Sequence, residues 1–143
     1  MLAFRQKLLA RKTSSTTNEN AVLEALQQWV STINSRQPSA VSRLYSEDAV
    51  FLPTLSHYRI LGSMNRTTYF ARLLGKSGFR VDILELDLQM LGEVGVCSGI
   101  YDFDYAFRGD DTRLEARFSM IFQRINGVYL IINHHSSLLP LNE

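Results

Sequence analysis

A lone cysteine and three prolines among 143 residues set the first limits on this chain. With Cys97 unaccompanied, no intramolecular disulfide can form, and the cysteine-rich zinc patterns are excluded. A reducing, cytoplasmic setting is therefore expected. Charge of either sign is not in excess: fifteen basic side chains face fourteen acidic ones, for a net charge of +1. Nothing in that balance draws the chain to phosphate backbones or anionic lipid, so nucleic acid is not an expected partner. No apolar run approaches the roughly 18 residues needed to cross a bilayer. The length suits one domain, which at this size buries roughly two-thirds of the surface its unfolded chain exposes.

Residues 1–17 differ from the rest. Arg5, Lys7, Arg11 and Lys12 occur there without an acid, followed by the Ser/Thr run Thr13 to Thr17. This composition fits a basic tail, an organelle targeting segment or a short surface helix. Residues 18–143 form the expected domain.

Thr16 and Glu19 have capping-box spacing, and Val22, Leu23, Leu26, Trp29, Val30 and Ile33 recur at helical intervals. They predict a long first helix ending near Asn34-Ser35. Pro38 is placed to start a short second helix with Val41, Leu44 and Tyr45 on its buried face. Ala49 to Leu52 reads as a short strand stopped by Pro53. After a loop over Thr54 to Ser63, Tyr69, Phe70, Leu73 and Leu74 mark a third helix from about Asn65, closed by Gly75 and Gly78.

Beyond Phe79 the pattern is antiparallel strand. Leu84, Leu86, Leu88 and Met90 share one parity while Val81 and Ile83 take the other, which predicts a bulge near Ile83-Leu84. Turns are expected at Gly92-Glu93, Arg108 to Asp111 and Asn126-Gly127, the last a strong hairpin signal. Asp102 and Asp104 alternate with Tyr101, Phe103 and Tyr105 and read as the solvated face of their strand; His57 reads as an exposed loop residue. Helices first and a four-strand meander afterwards give an α+β class, with the curved sheet wrapped over the first helix.

The last strand ends in His134-His135-Ser136-Ser137. Alternation sends the two histidines to opposite faces, which disfavours a two-histidine metal site; no metal or cofactor is expected. The even row, Val128, Leu130, Ile132, His134 and Ser136, is the more apolar and is assigned to the covered face. His134 and Ser136 then sit where core gives way to a pocket. Histidine and hydroxyl side chains suit proton transfer near neutral pH.

Arg117-Phe118-Ser119-Met120, Tyr129-Leu130-Ile131 and His134-His135-Ser136-Ser137 with Pro140 resemble the signature of the iota-class carbonic anhydrases. That group is itself similar to the association domain of calcium/calmodulin-dependent protein kinase II within the NTF2-like superfamily. Asn34-Ser35-Arg36, Leu44-Tyr45, Asp48-Ala49-Val50, Leu52-Pro53-Thr54-Leu55-Ser56, Tyr69-Phe70 and Ser98-Gly99-Ile100-Tyr101 add to the resemblance. It implies a cone-shaped barrel, a homodimer or larger assembly, and hydration of CO2 to bicarbonate without obligatory zinc. It also implies a catalytic set of Thr54, Tyr69, His134 and Ser136. The chain departs from the family pattern after the two serines, where Leu138-Leu139-Pro140-Leu141 replaces Met-Pro-Glu, and Tyr129 stands where Trp is common.

In a metal-free mechanism a neutral His134 would act as general base while Thr54, Tyr69 and Ser136 position water and substrate. The candidate substrate-contacting residues are Tyr101, Phe70 and Phe103, with Leu52 in the apolar lining. His135 and Ser137 join them from the same motif, although alternation points them to the opposite face. The alternative function is a non-catalytic NTF2-like module that binds a small molecule or drives oligomerisation. An acid/base isomerase would want a pocket carboxylate, and none falls on the apolar parity.

Overall fold

The computed structural model describes residues 5–8 and 16–140. In chain order the elements are β1 (Arg5–Leu8), α1 (Thr16–Asn34), α2 (Pro38–Ser42), β2 (Tyr45–Leu52), β3 (Ile60–Leu61), α3 (Ser63–Leu74), β4 (Ser77–Leu91), β5 (Val94–Phe107), β6 (Asp110–Ile125) and β7 (Val128–Leu138). They form one seven-stranded sheet in the order β1-β4-β5-β6-β7-β2-β3. The long strands β4 to β7 are the expected antiparallel meander, and β1 and β2 pair in parallel with β4 and β7. Residues 1–4 and 9–15 of the N-terminal extension lie outside the described residues, as does the Thr16 side chain of the expected capping box.

The apolar stripe of α1 explains the curl. Val22, Leu26, Trp29, Val30 and Ile33 are at most 3% exposed, and each such burial contributes about 1.5–3 kcal/mol. The opposing face of the sheet supplies Val81, Ile83, Leu86, Leu88, Cys97, Tyr101, Phe118, Met120 and Phe122. One helix can cover that many strands only if the sheet bends around it. The tie at its C-terminal end is explicit: Asn34 Nδ2 donates to the Val81 carbonyl at 3.1 Å, and the Val81 amide donates to Asn34 Oδ1 at 2.9 Å. Two residues on, Arg36 takes a positive φ of 61° and donates from Nη2 to the carbonyls of Leu74 and Lys76. The Asn-Ser-Arg segment thus clamps α1 to β4 and binds the end of α3.

Several expected boundaries move. The first full strand is longer than Ala49 to Leu52, because Tyr45 opens β2 instead of lying on α2. The five-residue α2 buries Val41 and Ser42. Pairing with β7 outweighs the helical spacing here: Tyr45 stands opposite Ile131 and Phe51 opposite His134. The third helix starts at Ser63, two residues earlier than its apolar spacing indicates.

The expected bulge is present, as the register of β4 on β5 shifts between Ile83 and Glu85. Ile83 and Leu86 are buried, while Leu84 is turned outward at 37% exposure. Opposite the shift, Gly99 lies so close to β4 that a Cβ atom would collide with the Glu85 carbonyl oxygen. Asn126 and Gly127 both have positive φ, 52° and 83°, as a two-residue hairpin of this hand requires.

The crowding at Gly99 gives a stability prediction. Gly99→Ala must push β4 and β5 apart at backbone positions, and overpacking of this kind costs about 1–3 kcal/mol. Urea denaturation should show the loss as a lower midpoint with an unchanged slope; an equally stable variant would mean that the strands part freely at this point.

Candidate functional site

The site forms where the inner faces of β7, β5 and β2 meet the inner face of α1. β7 carries a second bulge: Ile121 pairs with Asn133 but the neighbouring Phe122 pairs with Ile131, so Ile132 is the extra residue. Before it, the odd residues Tyr129 and Ile131 are buried; after it, the even residues His134 and Ser136 are. The even row therefore faces inward only from His134 on. Val128 is 57% exposed, and Leu130 and Ile132 are half-buried, because the bulge exchanges the two faces.

His134 is 1% exposed and enclosed by rings. Phe51 stacks on it at 4.6 Å between centroids, and the Trp29 edge meets it at 5.6 Å. Both imidazole nitrogens are engaged. The Tyr45 hydroxyl lies 2.8 Å from Nδ1 and the Tyr101 hydroxyl 3.0 Å from Nε2. Trp29 Nε1, a donor only, donates to the Tyr45 oxygen at 3.1 Å. That leaves the Tyr45 proton one acceptor within this cluster, Nδ1, so the proton of the neutral ring resides on Nε2 and is donated to Tyr101. Tyr101 in turn meets Ser136, and Ser136 is hydrogen-bonded to Thr54. The proton order is set by Trp29 as far as Tyr101; between Ser136 and Thr54 either hydroxyl can donate. Thr54 and Ser136 border a space beside them.

That space is a cavity bounded by Trp29, Ile33, Phe51, Pro53, Thr54, Tyr69, Phe70, Leu73, Tyr101, Phe103, His134 and Ser136. Its free volume is about 10 Å³, room for roughly one water-sized molecule. Larger hollows of about 570 and 520 Å³ lie elsewhere, the former between Ser77, Asp104 and Arg113 and the latter between Asp48, Gln123 and Ile132. Neither of these is lined by Thr54, Tyr101, His134 or Ser136.

Burial sets the electrostatics. Desolvation, with a smaller contribution from His135, holds the His134 pKa down to about 3, so the ring is neutral at physiological pH. Burial also pushes the phenols of Tyr45, Tyr101 and Tyr69 well above their ordinary range, keeping them protonated as donors. All members of the cluster are uncharged, which is how a polar network survives at this depth.

The structure brings together Thr54, Tyr69, His134 and Ser136, along with Tyr101, Phe70 and Phe103. It does not bring in His135, which is exposed, or Ser137, which is half-buried on the opposite parity; neither reaches the cavity. Leu52 is 40% exposed and absent from the lining. The general-base role expected of His134 is corrected as well, since tyrosine hydroxyls occupy both ring nitrogens and leave no lone pair for a water. Asp102 is 5% exposed, not solvated, although it shares Arg113 with Asp104 as members of one strand face should. His57 is exposed as expected.

Sequence reasoning missed Tyr45, whose place on β2 was hidden by helical spacing, and gave Trp29 only a packing role. The signal available for both was their rarity: a polar-tipped aromatic on an otherwise apolar face needs a partner for its hydrogen. Among the described residues no group of three His, Cys, Asp or Glu side chains could hold a metal ion.

A helix-filled curved sheet with a polar corner at its end defines the class: this is an NTF2-like α+β cone. More specifically, residues 18–140 match the calcium/calmodulin dependent protein kinase II association domain, and the chain belongs to that family. It is similar to a Xanthomonas campestris protein assigned to the same association domain, with 25% identity, a TM-score of 0.79, and coverage of 99% of this chain and 100% of the other. An NTF2-like superfamily protein from Salmonella enterica shares the fold at 16% identity and a TM-score of 0.78, over 91% of this chain and 96% of its own. An NTF2-like protein of unknown function from Pseudomonas putida does so at 16% identity and 0.75, over 90% of each chain. No curated protein matches.

The buried imidazole makes stability pH-dependent. The folded pKa of about 3 lies below the ordinary value of 6.5, so between those limits the unfolded chain binds the extra proton. His134 therefore contributes fully above about pH 6.5, and its contribution falls as the pH drops toward 3, by up to about 1.4 kcal/mol per unit. Urea denaturation at pH 7, 5 and 4 should show a steeper decline for the wild type than for His134→Gln; parallel curves would place the proton elsewhere.

Proposed function

We propose that this chain is an association module that assembles with copies of itself, as a dimer or larger, and encloses a small neutral molecule beside Thr54. The family match over residues 18–140 supports the assembly. The cavity supports the ligand, with apolar walls from Ile33, Phe51, Phe70, Leu73 and Phe103 and one polar corner of hydroxyls.

A catalytic reading sits within this one: reversible, metal-independent hydration of CO2 to bicarbonate. The observation that favours it is the hydrogen-bonded hydroxyl pair of Thr54 and Ser136 on the wall of an otherwise largely apolar cavity. CO2 is small and apolar and suits such walls, but hydration places negative charge on its oxygens. A hydroxyl donor on the wall of a cavity with few other polar groups stabilises that charge. In this scheme the side chains around the cavity part to admit CO2 together with one water; Thr54 donates to the developing carboxylate, while Tyr69, which makes no hydrogen bond of its own among the described residues, orients the attacking water. The proton released as water adds passes to a second water and on to solvent. His134 is a positioning residue: with a pKa of about 3 it is a weak base, and its task is to hold the hydroxyls of Tyr45 and Tyr101 in place.

Stopped-flow CO2 hydration on the assembled protein, with and without chelator, tests the catalytic reading. Activity should survive chelation and fall by about 100-fold to 1000-fold in Thr54→Val and Ser136→Ala, in line with the loss of one oriented donor. A folded, assembled and inactive wild type would remove the catalytic reading and leave the module. Sedimentation addresses assembly separately, and a monomer at micromolar concentration would overturn that part.

A further inference from the structure

The face of the sheet turned away from α1 carries a notch that the proposed function leaves unused. Tyr45 of β2 stands opposite Ile131, but the next pairing is Val50 with Asn133, so Ser46 to Ala49 face the single residue Ile132. Ile132 is also the residue that β7 has in excess over β6. β7 thus loses register with both neighbours at one point, and irregularities of this kind open the ladder and re-aim side chains. The result is the hollow of about 520 Å³ already noted between Asp48, Gln123 and Ile132.

Its floor and rim differ in chemistry. Ile125, Leu130 and Ile132, each half-buried, make the floor aliphatic. Glu47 and Asp48 stand exposed on the rim, and among the described residues neither forms an ion pair. Glu47 lies within the field of the buried Arg66, which offsets part of its charge, so Asp48 carries most of the rim's attraction for a cation. Ser46 points to a ligand on separate grounds. It is 8% exposed and lines the notch, yet its hydroxyl has no hydrogen-bond partner among the described residues. Unlike the Tyr129 hydroxyl, which is sealed in the core, it is open to the notch. A hydroxyl held this deep without a partner offers an acceptor to a group from outside the protein.

We infer that this notch binds a small primary alkylammonium ion, with its head among Asp48, Glu47 and the Ser46 hydroxyl and its chain along Ile125, Leu130 and Ile132. An ammonium group has three donors and no acceptor, and two carboxylates and a hydroxyl answer it. Its aliphatic chain covers the floor while the charged head stays at the wet rim, as lysine side chains do on protein surfaces. A metal ion is poorly served: no group of three His, Cys, Asp or Glu side chains gathers here among the described residues, and calcium takes about six to eight oxygens. The notch shares no residue with the cavity beside Thr54, so the inference goes beyond the proposed function and does not depend on it.

n-Butylammonium chloride is the probe, titrated by calorimetry into the full chain in its assembled state. Ammonium chloride, n-butanol and calcium chloride are the comparators, at matched ionic strength: the first has the charge without the chain, the second the chain without the charge. Butylammonium should bind saturably, once per chain, and more tightly than each comparator. Asp48→Asn keeps the shape of an exposed side chain, should leave the circular dichroism unchanged, and should weaken binding about tenfold, the worth of one charge-assisted hydrogen bond. Ile125→Thr keeps the β-branch, removes apolar surface from the floor, and should weaken butylammonium binding while leaving the ammonium response as it was. A wild type that does not bind butylammonium saturably overturns the proposal. So does n-butanol, ammonium or calcium binding as tightly, or a butylammonium affinity unchanged in Asp48→Asn or in Ile125→Thr.

Discussion

The neutral imidazole of His134, held between the hydroxyls of Tyr45 and Tyr101, sets the conditions for everything around it. A charged ring at this depth would need a counter-ion, and none of the surrounding groups supplies one; a neutral ring needs one donor and one acceptor, and two phenols provide them. Because Trp29 already donates to Tyr45, the imidazole has a single self-consistent proton order, with Nδ1 accepting from Tyr45 and Nε2 donating to Tyr101. The apolar core is arranged around the same point: Phe51 stacks on the imidazole, and Phe118 stacks on Tyr101 at 4.5 Å. Packing and polarity are thus solved together by side chains that α1, β2, β5, β6 and β7 bring to one point.

The elements with one strong period were legible in the sequence. The stripe from Val22 to Ile33 specified α1, the parity change at Ile83-Leu84 specified a bulge, and Asn126-Gly127 specified the last hairpin. What was not legible depended on partners distant in the chain. Tyr45 has helical spacing from Val41 and Leu44, but its place is set by β7, more than eighty residues away. The bulge at Ile132 leaves no mark on composition, since apolar residues stand at both parities there; only pairing with Ile121 and Phe122 reveals it. His134 and Ser136 were assigned to the inner face from the even row as a whole, and they do lie there, but the row changes faces before it reaches them.

The family's recurring segments divide into two kinds once their contacts are known. Asn34-Ser35-Arg36 is structural, tying α1 to β4 and to the end of α3. Thr54, Tyr101, His134 and Ser136 form the polar corner and carry any chemistry. The altered ending begins at Leu138, the last residue of β7, and contributes none of the hydrogen bonds in that corner, so the change spares it. One scaffold serves many functions, and here the distinction rests on a few hydroxyls in a space that fits one water.

The bulge at Ile132 bears on how β7 tolerates error. A strand that pairs one residue out of step normally turns its entire functional row to the wrong side. Here the polar end consists of two identical doublets, His134-His135 and Ser136-Ser137. Absorbing the bulge would seat Asn133 opposite Met120 and His135 opposite Phe118, the places that His134 and Ser136 now hold. The doubled letters are therefore no spare copy: one extra residue at Ile132 is what brings a histidine between the Tyr45 and Tyr101 hydroxyls, so the site is encoded in a pairing irregularity as much as in its own residues.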